Sequence, residues 1–387
     1  MKKPLLIFSF FLFFVYNVAG QKKFHVTIEV PRELDSKKLR LAYDNGKTEI
    51  PIKKYKIENH KIILSELFYG NYATVVLRYP KSINTQYQNS FFISNRPANI
   101  VLCYSDSSMS PFQKYKLKNA LDFKKIKSEL LEHDSAEMKK ISDLLLIDAK
   151  KNDHSNDSIS NFQFNTLNNN LLLKDLEFII KNNTSYYSFW FFRRNIVPSS
   201  IQSADSLFYI FNTIFSEKFK STEEGNTIRK LLLGRMAVQS KNVAPDFISK
   251  SIDNKKITLS EYQGKKNVLI IFWATWCSPC LEEIPIIKRI REKYSGENLE
   301  IIYVSYASDY LEYLKFIKEK KMNWVNIYND VDLINSYGGY KAIPRIYLIN
   351  TFGKIVYNKD VDDVYDPQLA NLKYLLESMP ALNDNLR

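Results

Sequence analysis

The sequence predicts a multidomain protein: a β-rich N-terminal domain, a helical middle region and a C-terminal α/β domain. Three observations predict it. From Phe24 to about Tyr104 apolar and polar residues alternate with period two, as in half-buried strands. From about Phe112 to Gln239 the period moves toward 3.6, the repeat of amphipathic helices. From about Asn242 the pattern alternates between the two, around the continuous apolar run Val268 to Trp273 that a strand buried on both faces requires. At 387 residues the chain has room for two or three cores. The expected divisions are a targeting segment at 1–20, the β-rich domain at 21–110, the helical region at 111–240 and the α/β domain at 241–387.

The targeting segment opens with Lys2 and Lys3, continues through the apolar stretch Leu5 to Tyr16 and ends in the small residues Val18, Ala19 and Gly20. This is the pattern of a secretory signal with cleavage before Gln21. The stretch is short for a membrane span of ~20 residues, so a retained anchor is the alternative, and the absence of a following cysteine argues against a lipoprotein. The expected location is the periplasm of a Gram-negative bacterium.

In the β-rich domain Phe24, Val26, Ile28 and Val30 alternate, Asp44-Asn45-Gly46 is a hairpin turn signal, and Ile50, Ile52, Tyr55 and Ile57 resume the pattern. Further strands are expected at Ile62 to Leu64, Tyr72 to Tyr79, Phe91 to Ile93 and Ile100 to Tyr104. Cys103, in the last of these, is expected to be an inert core thiol. His25 and His60 have no neighbours spaced for catalysis.

Leu121, Ile126, Leu130, Ile141, Leu144 and Leu145 suggest the first helices, Asn161 to Ile180 another, and the polar run Lys150 to Ser160 a loop between them. Leu207, Phe208, Phe211, Ile214 and Phe215 fit one helix face, and Ile228, Leu231, Leu232 and Met236 another. The aromatic cluster Tyr186 to Phe192 is expected to fill space between helices rather than form a partner surface. In the last domain Pro279 to Tyr294 and Asp309 to Lys320 read as helices and Leu299 to Ser305 as a strand. Ile346 to Ile349 and Lys354 to Tyr357 read as a hairpin, and Asp366 to Ser378 as a final helix.

With 55 Lys+Arg against 42 Asp+Glu the chain carries a net +13, but the basic residues are scattered. No basic stripe interleaved with aromatics is present, so a nucleic-acid partner is not expected. All four histidines precede residue 155, far from the cysteine pair in sequence, which argues against zinc, a metal needing three or four ligands.

Chemistry concentrates in Phe272-Trp273-Ala274-Thr275-Trp276-Cys277-Ser278-Pro279-Cys280, where a strand meets a helix. A thiol at a helix N-terminus faces unpaired backbone N–H groups and the positive end of the helix dipole, which lower its pKa from ~8.5. A second thiol one turn on can close a disulfide with the first. The pattern indicates dithiol–disulfide chemistry, with an inert structural disulfide as the alternative. Cys277, nearest the helix start, is expected to be the more exposed of the two, and Cys280 to be shielded.

Residues 242–378 resemble the TlpA/ResA-like thiol–disulfide oxidoreductases of the thioredoxin superfamily. The resemblance rests on Val243-Ala244-Pro245-Asp246-Phe247, Thr258-Leu259-Ser260, Gly264-Lys265-Lys266, the run from Phe272 to Cys280, Glu283-Ile284-Pro285 and Ala342-Ile343-Pro344, in that order. Residues 24–104 more loosely resemble the β-rich domain that precedes such modules in Bacteroidetes-type proteins. The resemblance implies a thioredoxin-like fold for 241–387, with Cys277 as attacking thiolate, Cys280 as resolving thiol and a Cys277–Cys280 redox disulfide. It implies that Pro344 is the cis-proline facing the pair, so that Ile343 presents its backbone to a partner, and that Trp276 flanks the thiol. Glu283 matches a glutamate that assists proton transfer to the resolving thiol. Ile271 stands where thioredoxins proper bury an aspartate, and Arg345 replaces a small polar residue, which points to altered partner selectivity. The implied partners are disulfide-bearing exported proteins and a membrane thiol electron donor, with no cofactor. A thiol peroxidase, or an envelope ligand-binding protein with an accessory redox module, are the rival readings. The Trp-Ala-Thr-Trp preceding Cys277 does not match a peroxidatic site.

Overall fold

The structure, a computed structural model, describes residues 21–81, 86–103, 110, 112, 114–150, 157–199, 201–239, 242–294, 298–306, 309–339, 343–362 and 368–378. The expected export segment and Ala342 lie outside them. Two compact units are present, residues 1–122 with 222–224 and residues 123–221 with 225–387.

Among the described residues the first unit holds ten strands: β1 (Lys22–Glu29), β2 (Arg40–Asp44), β3 (Glu49–Ile52), β4 (Ile57–Glu58), β5 (Lys61–Phe68), β6 (Ala73–Pro80), β7 (Gln86–Ile93), β8 (Ala98–Cys103), β9 (Lys114–Lys118) and β10 (Ala120–Leu121). They form two five-stranded sheets in the orders β4-β5-β1-β8-β9 and β10-β7-β6-β2-β3. The period-two residues explain the pairing. Phe24, Val26 and Ile28 of β1 and Ile62 and Leu64 of β5 share one core with Leu41, Val75, Leu77 and Phe91 of the other sheet. Gly46, at φ +96°, takes the left-handed backbone that the turn after β2 demands.

The strands run past the boundary expected at 110. β9 alternates Lys114, Lys116 and Lys118 with Tyr115 and Leu117, and Tyr115 meets Phe91 edge-on at 5.0 Å. These residues were expected to open the helical region, but β9 ends its sheet, and lysines on an edge strand discourage pairing with other chains. Cys103 is half-buried rather than in the core, because it falls out of phase with the inward Ile100 and Leu102.

The second unit opens with α1 (Lys124–Lys150) and α2 (Asp157–Lys181), which pack on each other. Helix α2 therefore begins inside the run expected to be a loop, of which 151–156 fall outside the described residues. α3 (Tyr186–Phe191) is capped by Ser185 and leads into a π turn at Phe192–Ile196. α4 (Ala204–Ile214), α5 (Glu217–Lys220) and α6 (Glu223–Ala237) follow. The aromatic cluster packs internally: Tyr186, Tyr187, Phe189 and Phe192 are buried, and Phe189 stacks on Phe219 at 4.9 Å.

A small hairpin of β11 (Ile248–Lys250) and β12 (Lys256–Thr258) precedes β13 (Asn267–Trp273), α7 (Ser278–Tyr294), β14 (Leu299–Ser305), α8 (Tyr310–Glu319), β15 (Val325–Tyr328), α9 (Val331–Ser336), β16 (Arg345–Ile349), β17 (Ile355–Asn358), α10 (Lys359–Asp362) and α11 (Ala370–Ser378). The sheet order is β15-β14-β13-β16-β17, with β13, β14 and β15 parallel and β16 and β17 antiparallel to their neighbours. β13 is central, and every one of its residues is buried, as its unbroken apolar run requires. A βαβ start, a terminal hairpin and a last helix make a thioredoxin-like arrangement. β11, β12, β15, α9 and α10, each of six residues or fewer, are not among the elements expected from the sequence, and α11 starts four residues later than expected. Among the described residues no helix is long and apolar enough to cross a membrane.

Candidate redox site

Cys277 immediately precedes α7, so the buried carboxyl-end of β13 and the turn Ala274 to Trp276 deliver it to the helix start. Its sulfur occupies the place of a helix-capping side chain: the backbone N–H of Cys280 donates to Sγ of Cys277 at 3.3 Å. Capping groups accept from the N–H groups of a helix's first turn, which otherwise lack partners.

Cys277 and Cys280 are joined in a disulfide with their Cα atoms 5.3 Å apart. Both are buried, at 5% and 3% exposure, so the expected contrast between an open Cys277 and a shielded Cys280 is not present in the oxidised form. What distinguishes them is position: Cys277 caps the helix, and Cys280 lies one turn inside it. Trp276, 68% exposed, is the large apolar side chain presented beside the pair, whereas Trp273 is fully buried.

The Ile343–Pro344 peptide bond is cis. The carbonyl oxygen of Ile343 lies 3.5 Å from Sγ of Cys277, so the loop before β16 faces the disulfide directly. Arg345, the next residue, which departs from the small polar residue expected there, points into the domain. The residue is 2% exposed, and its guanidinium donates to the carbonyl oxygens of Gly339 (2.9 Å) and Tyr337 and to the Tyr347 hydroxyl and sits 3.6 Å from the Asp360 carboxylate.

Glu283 is 4% exposed and pairs with the ammonium of Lys359 on α10. It is no solvated helix glutamate like the exposed Glu282. Burial raises its carboxyl above the ordinary range, and Lys359 pulls back without cancelling the rise. The structure thus gathers Cys277, Cys280, Ile343, Pro344, Trp276 and Glu283 at one end of the sheet. Lys359 and Asp360 went unnoticed in the sequence, where they belong to no motif. No cluster of three or more His, Cys, Asp or Glu suited to a metal occurs among the described residues.

Residues 239–376 match the Redoxin family. Thiol-disulfide oxidoreductase ResA of Bacillus subtilis is 29% identical over 124 residues, 32% of this chain and 68% of that protein. Over this part the chain is similar to thioredoxin-superfamily proteins of the TlpA/ResA-like kind. ResA of Bacillus thuringiensis is 32% identical over 114 residues, 29% of this chain and 65% of that protein. Thioredoxin-like protein YneN of Bacillus subtilis is 37% identical over 73 residues, so the chain spans only 42% of that relative and 19% of its own length is involved. Among solved structures, the thioredoxin domain of a Bacteroides vulgatus thiol-disulfide oxidoreductase is 24% identical with a TM-score of 0.31, covering 35% of this chain and 97% of that one.

Proposed function

We propose that the protein is an exported thiol–disulfide oxidoreductase acting on disulfide-bearing exported proteins through Cys277 and Cys280. The observation that carries the reading is a disulfide whose first sulfur caps a helix and faces the carbonyl of a cis Ile343–Pro344 bond at 3.5 Å. In this reading the Cys277 thiolate attacks a client disulfide, forming a mixed disulfide and expelling one client thiolate. Cys280 then attacks Sγ of Cys277, closes the internal disulfide and releases the second client thiolate. Trp276 and the Ile343 backbone bracket the client segment. Glu283 takes the proton from Cys280. Exchange between sulfurs needs no cofactor.

The direction we propose is reduction, with electrons resupplied by a membrane thiol donor, because an oxidising envelope cannot keep the pair reduced. The location is the periplasm of a Gram-negative cell, after cleavage before Gln21 or with the N-terminal segment retained as an anchor. The β-rich and helical parts, proposed as residues 21–110 and 111–240, precede the redox module at 241–387. Sequence similarity to proteins named thiol-disulfide oxidoreductase supports the activity.

The test is reduction of a model protein disulfide by the purified, reduced protein. Cys277→Ser should bring the rate down to that of the uncatalysed reaction. Cys280→Ser should stall after the first attack and hold clients in covalent complexes that dithiothreitol releases. Undiminished turnover by Cys277→Ser would sink the reading.

A further inference from the structure

The carboxylate behind the redox pair depends on a residue from a distant part of the chain. Glu283 lies one turn past Cys280 on α7, and its partner Lys359 comes from α10, 76 residues later. Their side chains are 5% and 13% exposed, so water screens the pair poorly. Helix α10 is itself pinned. Asn358 N–H donates to the Asp362 carboxylate at 2.7 Å, and Asp360 N–H donates to Asn358 Oδ1 at 3.0 Å. The Asn358 side chain donates to the carbonyl of Val238 at 3.1 Å. The Asp360 carboxylate lies 3.6 Å from Arg345, the residue after Pro344. Two consecutive residues, Lys359 and Asp360, therefore engage the acid behind Cys280 and the arginine behind the cis-proline.

We propose that Lys359 is a positioning residue for the resolving step, holding Glu283 in place as an ionised proton acceptor for Cys280. The proposal rests on the exchange reading above. In the mixed disulfide, Cys280 passes its proton to the Glu283 carboxylate and its thiolate attacks Sγ of Cys277. The bond between Cys277 and the client sulfur breaks, the Cys277–Cys280 bond forms, and the client sulfur leaves as thiolate. Two electrons have then passed from the two cysteines to the client disulfide, and the proton on Glu283 goes to the departing thiolate or to water. A carboxyl buried without a counter-charge stays protonated and cannot accept. Among the described residues Glu283 interacts with Lys359 from α10, Tyr303 from β14 and Glu282 of its own helix, with Cys280 one turn back on that helix, and of these groups Lys359 is the cation. Burial already pushes the Glu283 carboxyl upward with Lys359 present. Removing the ammonium pushes it further in the same direction.

An aromatic disulfide that releases one coloured thiol on attack and a second on resolution separates the two steps in the full-length reduced protein. Lys359→Met should leave the first phase unchanged. It should slow the second about tenfold near neutral pH and move the rise of that phase to higher pH. Lys359→Arg should restore the phase, and Glu283→Gln/Lys359→Met should be no slower than Glu283→Gln alone. If Lys359→Met does not fold, Lys359→Gln removes the charge with less disturbance and carries the same expectation. A second phase with the wild-type rate and pH profile, in a variant whose first phase is intact, overturns the proposal. A double variant slower than Glu283→Gln overturns it equally. Wild-type protein that releases neither coloured thiol overturns the exchange reading, and the role of Lys359 goes with it.

Discussion

Arg345 shows how much one side chain can hold. Its guanidinium brings charge into a fully packed site, a costly move unless donors and charge find partners there. It finds the Tyr337 and Gly339 carbonyls, the Tyr347 hydroxyl and the Asp360 carboxylate, and its flat face lies 5.8 Å from the Phe272 ring centre. Replacement by methionine takes the guanidinium from the buried Tyr337 carbonyl and Tyr347 hydroxyl, while the Gly339 carbonyl keeps the Tyr306 hydroxyl as donor; each buried group left unsatisfied costs about 1–3 kcal/mol, partly relieved by rearrangement. Arg345→Met should therefore lose about 3 kcal/mol, read as a lower urea midpoint at unchanged slope. A loss below about 0.5 kcal/mol, the range of ordinary surface substitutions, would show that the network does not stabilise the loop. The cysteine pair was legible from its own spacing at a helix start, whereas Pro344 and Glu283 stood out only through the motifs of the family that residues 242–378 resemble. The inward turn of Arg345 was not legible, because it depends on Gly339, Tyr347 and Asp360, which meet only after the sheet has formed.

Helices α1 and α2 were equally legible as periodic leucine runs, yet their contact contains two carboxyl groups. Asp134 and Asp175 are 3% and 5% exposed. Burial, reinforced by a hydrogen bond and repulsion from Asp134, pushes the Asp175 carboxyl up to about 8. The sign follows from which state holds the proton more tightly. The folded chain keeps it up to about pH 8, whereas the unfolded chain releases it near the ordinary 3.8. The stabilisation is thus fully present below that lower value and lost as pH rises through the folded one. Between these limits stability falls by up to ~1.4 kcal/mol per pH unit. Asp175→Asn keeps a group able to hydrogen-bond Asp134 but has no proton to lose. Thermal melting from pH 4 to 9 should show the variant overtaking the wild type as pH rises, with the gap widening until about pH 8. Parallel curves across that range would place the shared proton elsewhere. Periodicity alone could not expose this pair, since it marks which face is apolar and not which polar groups interrupt it.

At the scale of the whole molecule, the helical region and the thioredoxin-like domain belong to one compact unit, so a boundary at 240 divides the sequence pattern more cleanly than it divides the structure. Helix α6 joins them. Gly234 lets its backbone approach the end of α9 so closely that an added Cβ would stand 2.4 Å from the Asn335 carbonyl and 2.8 Å from the Gly338 nitrogen. The next residue, Arg235, donates to the Val197 carbonyl, and one turn back Leu231 lies against Gly339, whose carbonyl receives Arg345. Such a junction is silent in a pattern reading, where a glycine inside a helical run registers only as a weak helix former. It makes a prediction that separates a joined unit from a tethered one. Gly234→Ala improves intrinsic helix propensity by about 1 kcal/mol, so in a merely tethered helix it should stabilise the protein. Because the Cβ meets backbone that cannot step aside, the close-packed junction should instead lose about 1–3 kcal/mol. Hydrogen exchange should report faster opening at Gly338 and Gly339, next to the loop that carries Pro344, while β13 keeps its protection. A stabilised variant with unchanged exchange there would mean that α6 lies loosely on the redox domain and that the helical region does not brace the site.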